Sequence, residues 1–371
     1  MSTEIVRFAN RGDLAVVFFP FLPHSKTMNN RYVFPICLAV AVFLASCFAD
    51  DSTPPAAEPF RVEFALNTIS VIMLYDQADN DIYDAIFARI REIEQRMSAF
   101  LPDSDLSRIN AAAGIEPVQV YDDVFHVIQR AVEIAALSDG AFDPTIGPVT
   151  FLWGITGDTP RVPSQAEINA VLPLVNWRYI ELDPQQRTVF LRYPGMALDL
   201  GAIAKGYAAD EAAEIVRAAQ LERALIDLGG NVITHGVNLA GIPWRVGLQN
   251  PVGERGEFIG IISGWDMTVV TSGVNERYFV QDGEHFHHLF SPFNGRPAQT
   301  GLLSATIVTG VSMDADALST AIFVMGYERG RDLIAPMEGV YAIFVFDDNT
   351  VRMSPGLDFI LTDPNFRLLS D

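Results

Sequence analysis

Residues 61–75 read RVEFALNTISVIMLY, two apolar-rich runs parted at Asn67. Apolar and polar positions alternate, so the stretch predicts a β-hairpin. Immediately afterwards the period changes. Ile82, Ile86, Ile90, Ile93 and Met97 recur every three or four residues and predict one face of a long amphipathic helix. An antiparallel hairpin placed before the first helix does not fit the regular βαβ repeat of a doubly wound sheet, so the expected class is α+β.

The remaining patterns agree. A second helix is expected over 122–138, and 179–182 with 188–192 flank Asp183-Pro184 as another hairpin. Helical spacing returns over 203–219, short strands broken by Gly and Pro run to Phe279, 314–325 is helical and 340–346 is a buried strand. The expectation is mixed helices and antiparallel-rich sheets in a two-lobed single catalytic unit. No internal repeat is visible.

The chain of 371 residues is 49% hydrophobic, enough for a large core, and carries a formal net charge of -21. Such acidity argues against nucleic acid, whose backbone demands a basic footprint. It does not exclude a polyphosphate screened by a metal.

Near the amino end, Arg31 precedes an apolar run over 32–44 that is too short to span a bilayer and reads as the core of a secretory signal. The alternatives are a buried strand or an ordinary cleaved signal. Leu44-Ala45-Ser46-Cys47 resembles a bacterial lipobox, which makes Cys47 the expected lipidation site. Residues 1–27 then read as a non-native extension ahead of Met28, 28–46 as the signal peptide, 47–59 as a tether rich in Pro, Ala and acidic residues, and 60–371 as the catalytic domain. The expected location is the periplasmic side of the cell envelope. With Cys37 in the signal and Cys47 lipidated, no thiol is left for a disulfide or a metal, so a cation needs oxygen or imidazole ligands.

Of 25 basic residues only Lys26 and Lys205 are lysines. A chain that otherwise uses arginine has kept one compact ammonium where a planar guanidinium does not fit, against a phosphate or a carboxylate; the alternative is chance survival on the surface. Lys205 lies in Leu198-Asp199-Leu200-Gly201-Ala202-Ile203-Ala204-Lys205-Gly206-Tyr207, a glycine-bearing turn that enters a helix and frees amides for anions. Glycine after the lysine is not a Walker A loop. Downstream, Asp316 and Thr320 share a helical face and suit a hard cation such as magnesium, unless Asp316 is only a helix cap.

Five further stretches complete the set. They are 97–110 with Phe100, Gly140-Ala141-Phe142-Asp143-Pro144-Thr145 followed by Leu152-Trp153-Gly154, Asp227-Leu228-Gly229-Gly230-Asn231, Thr271-Ser272-Gly273, and 288–295. In order and spacing the chain from about Phe60 onward resembles the ApbE-type FAD:protein FMN transferases, formerly called thiamine-biosynthesis lipoproteins.

The resemblance implies that Phe100 packs on the flavin, that Ala141, Phe142 and Asp143 line the FAD site, and that Asp199 and Lys205 contact FAD. It implies a magnesium site made by the carbonyl of Ala202 with Asp316 and Thr320. His288, in preference to neighbouring His287, matches the proton-transfer residue; the alternative is a structural histidine. Departures are Val274-Asn275 for Asp-Tyr, Ser291 for Asp, and Leu66-Asn67-Thr68 for Met-Gly-Thr.

The implied reaction uses FAD as substrate and magnesium as cofactor, transfers FMN to a threonine of membrane redox subunits of Rnf or Nqr type or of FMN-binding domains, and releases AMP. The competing expectations are a magnesium-dependent pyrophosphatase giving free FMN and AMP, and a non-enzymatic FAD-binding lipoprotein.

Overall fold

The computed structural model describes residues 60–369 except 77, 156, 158 and 255. The expected signal, the lipidation site at Cys47 and the tether lie outside the described residues.

The first hairpin forms as expected. Strands β1 (Phe60–Ala65) and β2 (Thr68–Leu74) pair antiparallel with Ala65 opposite Thr68. Their two-residue loop puts both Leu66 (φ 53°) and Asn67 (φ 56°) in the left-handed region, the signature of a type I′ turn. A branched leucine is an uncommon occupant of that region, and the hairpin holds it there.

Seven more strands extend the pair: β3 (Arg223–Leu228), β4 (Asn231–Gly236), β5 (Thr268–Gly273), β6 (Leu302–Thr309), β7 (Tyr341–Phe346), β8 (Thr350–Met353) and β9 (Arg367–Leu368). The nine lie side by side in chain order, antiparallel throughout except for the parallel β8–β9 pair. The largest connection between neighbouring strands, 75–222, separates β2 from β3.

The helices are α1 (Asn80–Met97), α2 (Asp105–Ala111), α3 (Asp122–Leu137), α4 (Gly147–Trp153), α5 (Gln165–Val171), α6 (Ala204–Ala218), α7 (Ser312–Met325) and α8 (Tyr327–Ile334). Tyr83, Ile86, Phe87, Ile90, Ile93 and Met97 form the buried face of α1. On α6 the buried face is made of Ala208, Ala209, Ala212, Ala213 and Val216, small enough for α1 and α7 to approach closely. α7 is buried on nearly all sides and forms the centre of the helical layer.

Both faces of the main sheet are covered, which explains the unbroken apolar run of β2. Ile72 and Leu74 join the core under the helices, while Val71 and Met73 face a second, three-stranded sheet made of Trp244–Gln249, Phe258–Gly264 and Phe359–Leu361. A small sheet of Val118–Gln119, Ile180–Asp183 and Thr188–Leu191 contributes Val189 and Leu191 to the helical core, and the expected hairpin around Asp183 is part of it. The α+β class holds.

Candidate active site

The site is built where α6 meets α7. The start of each helix has orphan amides, and here the two helices satisfy one another. Asp210 on α6 accepts from the amides of Ser312 (2.9 Å) and Met313 (2.8 Å) at the start of α7. Asp316 on α7 accepts from the amide of Gly206 (3.0 Å) at the start of α6. Burial pushes the Asp210 carboxyl up to about 6, against the pull of those amides. Gly206 makes the crossing possible, because a Cβ there would sit 2.2 Å from the Ser312 carbonyl oxygen. The glycine that rules out a Walker A loop is therefore a helix-packing residue.

Lys205 Nζ lies 3.0 Å from Oδ1 and 3.3 Å from Oδ2 of Asp316, whose exposure is only 4%. The solitary lysine is thus a carboxylate partner. Asp199 is not that carboxylate; its Oδ2 accepts from Thr150 Oγ1 (2.9 Å) and its Oδ1 from the Gly201 amide (2.9 Å).

One turn beyond Asp316, the Thr320 hydroxyl lies 3.2 Å from Ser272 Oγ, which also meets Ser319 Oγ at 2.9 Å. Ala202 lies in the turn entering α6, where the amides of Ile203 and Ala204 use the Leu200 carbonyl and that of Tyr207 uses Ile203. Among the described residues no group of three or more His, Cys, Asp or Glu is placed to hold a metal. The expected donors, the Asp316 carboxylate, the Thr320 hydroxyl and the Ala202 carbonyl, are all hard oxygens, the ligand type that magnesium takes.

The two adjacent histidines separate cleanly. His287 is buried, with Nε2 3.2 Å from the Ala298 carbonyl and Nδ1 accepting from the Leu289 amide at 3.3 Å, so both nitrogens are occupied. His288 meets the Arg277 carbonyl through Nδ1 at 3.2 Å. A carbonyl can only accept, so Nδ1 carries the hydrogen and Nε2 keeps a lone pair. Burial, then the positive charge of Arg277, pushes His288 down to about 3, and Lys205 adds to the effect. The ring is a neutral base at pH 7.

The FAD-lining candidates divide. Ala141 and Phe142 are buried in the helical core. Asp143 closes its own loop, accepting from the Thr145 amide (2.9 Å) and hydroxyl (2.6 Å) and from the Trp177 amide (3.0 Å); burial raises its carboxyl despite these bonds. Phe100 stands exposed, with its ring edge-on to Phe151 at 5.8 Å. Phe151 and Thr150 sit on α4, so one short helix ties Phe100 to Asp199. Neither carries a sequence signal of its own. Ser291, which stands where the resemblance expects aspartate, closes its turn by accepting from the Phe293 amide at 3.3 Å. Trp153 Nε1 donates to the Gly295 carbonyl at 2.8 Å and pins the end of that loop.

Comparison with known proteins places this geometry. The model of the ApbE family matches residues 66–344. This chain belongs to the ApbE family. A Treponema pallidum protein named FAD:protein FMN transferase is 36% identical over 80% of this chain and 87% of its own length. A Klebsiella pneumoniae protein of the same name is 38% identical over 76% and 88%. Among solved structures, the ApbE protein of Thermotoga maritima superposes with a TM-score of 0.74 at 34% identity, covering 80% of this chain and 96% of that one. The flavin transferase ApbE of Vibrio cholerae gives 0.71 at 28%, covering 82% and 96%. The α+β class and the main-sheet architecture of this chain are thus those of ApbE proteins.

Proposed function

We propose that this ApbE-family chain is a magnesium-dependent FAD:protein FMN transferase that moves FMN from FAD to a threonine hydroxyl of a partner redox protein and releases AMP. The observation that carries the reading is the junction of α6 and α7, where the Lys205 ammonium is held on the buried Asp316 carboxylate, one turn before the Thr320 hydroxyl. Relatives over most of the chain carry that activity in their names.

In this reading the acceptor hydroxyl oxygen attacks the phosphorus of the FMN half. Its proton passes to Nε2 of His288, which is positioned by the Nδ1 bond to Arg277. The bond from that phosphorus to the bridging oxygen breaks, and AMP departs. Lys205 supplies positive charge beside the departing oxygens. Asp316, Thr320 and the Ala202 carbonyl would hold the magnesium, which when bound neutralises charge on the diphosphate. Phe100, with Phe151 edge-on to it, offers an apolar surface for the flavin ring.

The same reading makes the acceptor a membrane redox subunit and holds the enzyme to the periplasmic face of the envelope through lipid on Cys47, supported by the lipobox-like sequence. The test is incubation of the full chain with FAD, magnesium and an FMN-binding acceptor domain, followed by mass spectrometry. An FMN-sized mass gain on the acceptor is expected. Free FMN and AMP without that gain would make the chain a pyrophosphatase, and unchanged FAD would make it a binding protein.

A further inference from the structure

Three large apolar side chains stand in solvent at one end of the main sheet: Leu239 (64% exposed), Ile242 (40%) and Trp265 (51%). They are held in place by their loops. The Asn238 side chain accepts from the amides of Ala240 (2.8 Å) and Ile242 (3.2 Å) and donates to the Pro243 carbonyl (3.1 Å), which closes the loop bearing Leu239 and Ile242. Asp266, next to Trp265, accepts from the Gly236 amide at 2.7 Å and so ties the second loop to the first. Apolar side chains grouped on a fixed surface mark a docking face.

Strand register identifies which end this is. Phe60 pairs with Met73, Leu74 with Ala224, and Arg223 with Gly236, so the entry of the described chain, the end of β4 and the Trp265 turn share one end of the sheet. Ser272 is four residues along β5 from Thr268, about 13 Å farther from the Trp265 turn. Thr320, which meets Ser272, and His288, in the segment that leaves β5 after Gly273, lie toward that other end.

What covers the face follows from the chain before Phe60. The apolar run over 32–44 and Cys47 precede it, and the segment from Cys47 to Phe60 can stretch no farther than about 45 Å. An anchor at Cys47 keeps this end of the sheet beside the bilayer at high effective concentration. Tryptophan and aliphatic side chains suit the boundary between headgroups and acyl chains. A net charge of -21 gives no attraction to anionic lipid, so the contact is apolar.

We infer that Leu239, Ile242 and Trp265 form a second, non-covalent membrane contact that sets the domain with its active site directed away from the lipid. The inference goes beyond the proposed reaction and rests on the reading of residues 32–47 as a membrane address.

The experiment uses the full lipidated chain in phosphatidylcholine vesicles whose acyl chains carry bromine, with tryptophan emission as the readout. In a background carrying Trp177→Phe, the expected result is bromine-dependent loss of emission that disappears in Trp265→Phe, because Trp153 and Trp244 are fully buried and Trp177 is the other tryptophan with exposed surface. Failure to sediment with vesicles, sedimentation with unquenched emission, or equal quenching in Trp265→Phe would each overturn the inference. So would a dimer in detergent-free solution that becomes a monomer in the variant carrying Leu239→Ser, Ile242→Ser and Trp265→Ser, since a second copy would then be the occupant.

Discussion

Lys205 and Asp316 are 111 residues apart in sequence, yet the lysine ammonium touches both oxygens of the buried carboxylate. Asp316 also holds the Gly206 amide, so the pair fixes the charge of the site and the crossing of α6 and α7 at once.

Arginine at 205 keeps the charge but not the fit, because a planar fork is larger than the space an ammonium fills between Asp316 and the helix. Lys205→Arg is expected to lower the rate of FMN transfer by on the order of a hundredfold, the cost of a misplacement of about 1 Å. Initial rates for wild type, Lys205→Arg and Lys205→Met, with melting temperatures alongside, check this. Equal rates for wild type and the arginine variant would remove Lys205 from the site.

Asp316 has two duties that substitution can separate. Asp316→Ala should abolish transfer and, by leaving the Gly206 amide unpaired, cost about 1–2 kcal/mol of stability. Asp316→Asn retains an acceptor for that amide, and should keep most of the stability while losing magnesium affinity. Calorimetric magnesium titration and urea denaturation distinguish the two. Full activity of Asp316→Asn in the presence of a chelator would sink the cation assignment.

The pH profile follows from His288. Its folded pKa, about 3, is below the 6.5 of an unfolded histidine, so its contribution to stability is present above pH 6.5 and is lost as pH falls toward 3. Asp210, raised to about 6, has the opposite slope between about 4 and 6, which cancels when wild type is compared with His288→Gln. That difference in melting temperature should shrink on acidification. The transfer rate of wild type should have no acid limb near pH 6.5 that His288→Gln removes; finding one would mean that the ring titrates normally.

Gly206→Ala tests the crossing. The added methyl would lie 2.2 Å from the Ser312 carbonyl oxygen and 2.7 Å from the Met313 Cα, both of them backbone atoms that cannot swing aside. A loss on the order of 3 kcal/mol is expected from such overpacking, measured by urea denaturation. A variant as stable as wild type would show that the helices can separate at little cost.

Cys47→Ser should move the protein from the membrane to the soluble periplasmic fraction without changing activity per molecule. Fractionation and lipid labelling provide the measurement, and unchanged retention with unchanged labelling would refute lipidation at this residue.

The elements that sequence made legible are those with two or more turns of one period, or a clear alternation: the hairpin over 61–75, the face Ile86, Ile90, Ile93 of α1, and the helical stretch that becomes α6. α2, α4, α5 and α8 are seven or eight residues long and repeat too few times to be told from loops. The start of α7 lies two residues before the expected Asp314, since its amides are satisfied by Asp210 from another helix and no local capping residue marks the spot. Lysine scarcity points to Lys205 and sequence proximity to Asp199 as its carboxylate, but Asp199 is held by Thr150 and Gly201, and the partner is Asp316, which only the crossing of α6 and α7 brings near. Phe151 and Thr150 had no signal; only the fold brings α4 to Phe100 and Asp199.

The strand order of the main sheet has a consequence for how the chain acquires its shape. A polypeptide emerging amino end first can add each strand beside the one before it, with little waiting for distant partners. β3 is the exception, because its place beside β2 opens only after residues 75–222 have been delivered. Until then β2 presents Ser70 to Leu74 as an unpaired edge, the kind of surface that invites wrong pairing. The slow and vulnerable moment of biogenesis is therefore the return of β3, and the shared core of α1, α3 and α6 shortens it by bringing the two strands together.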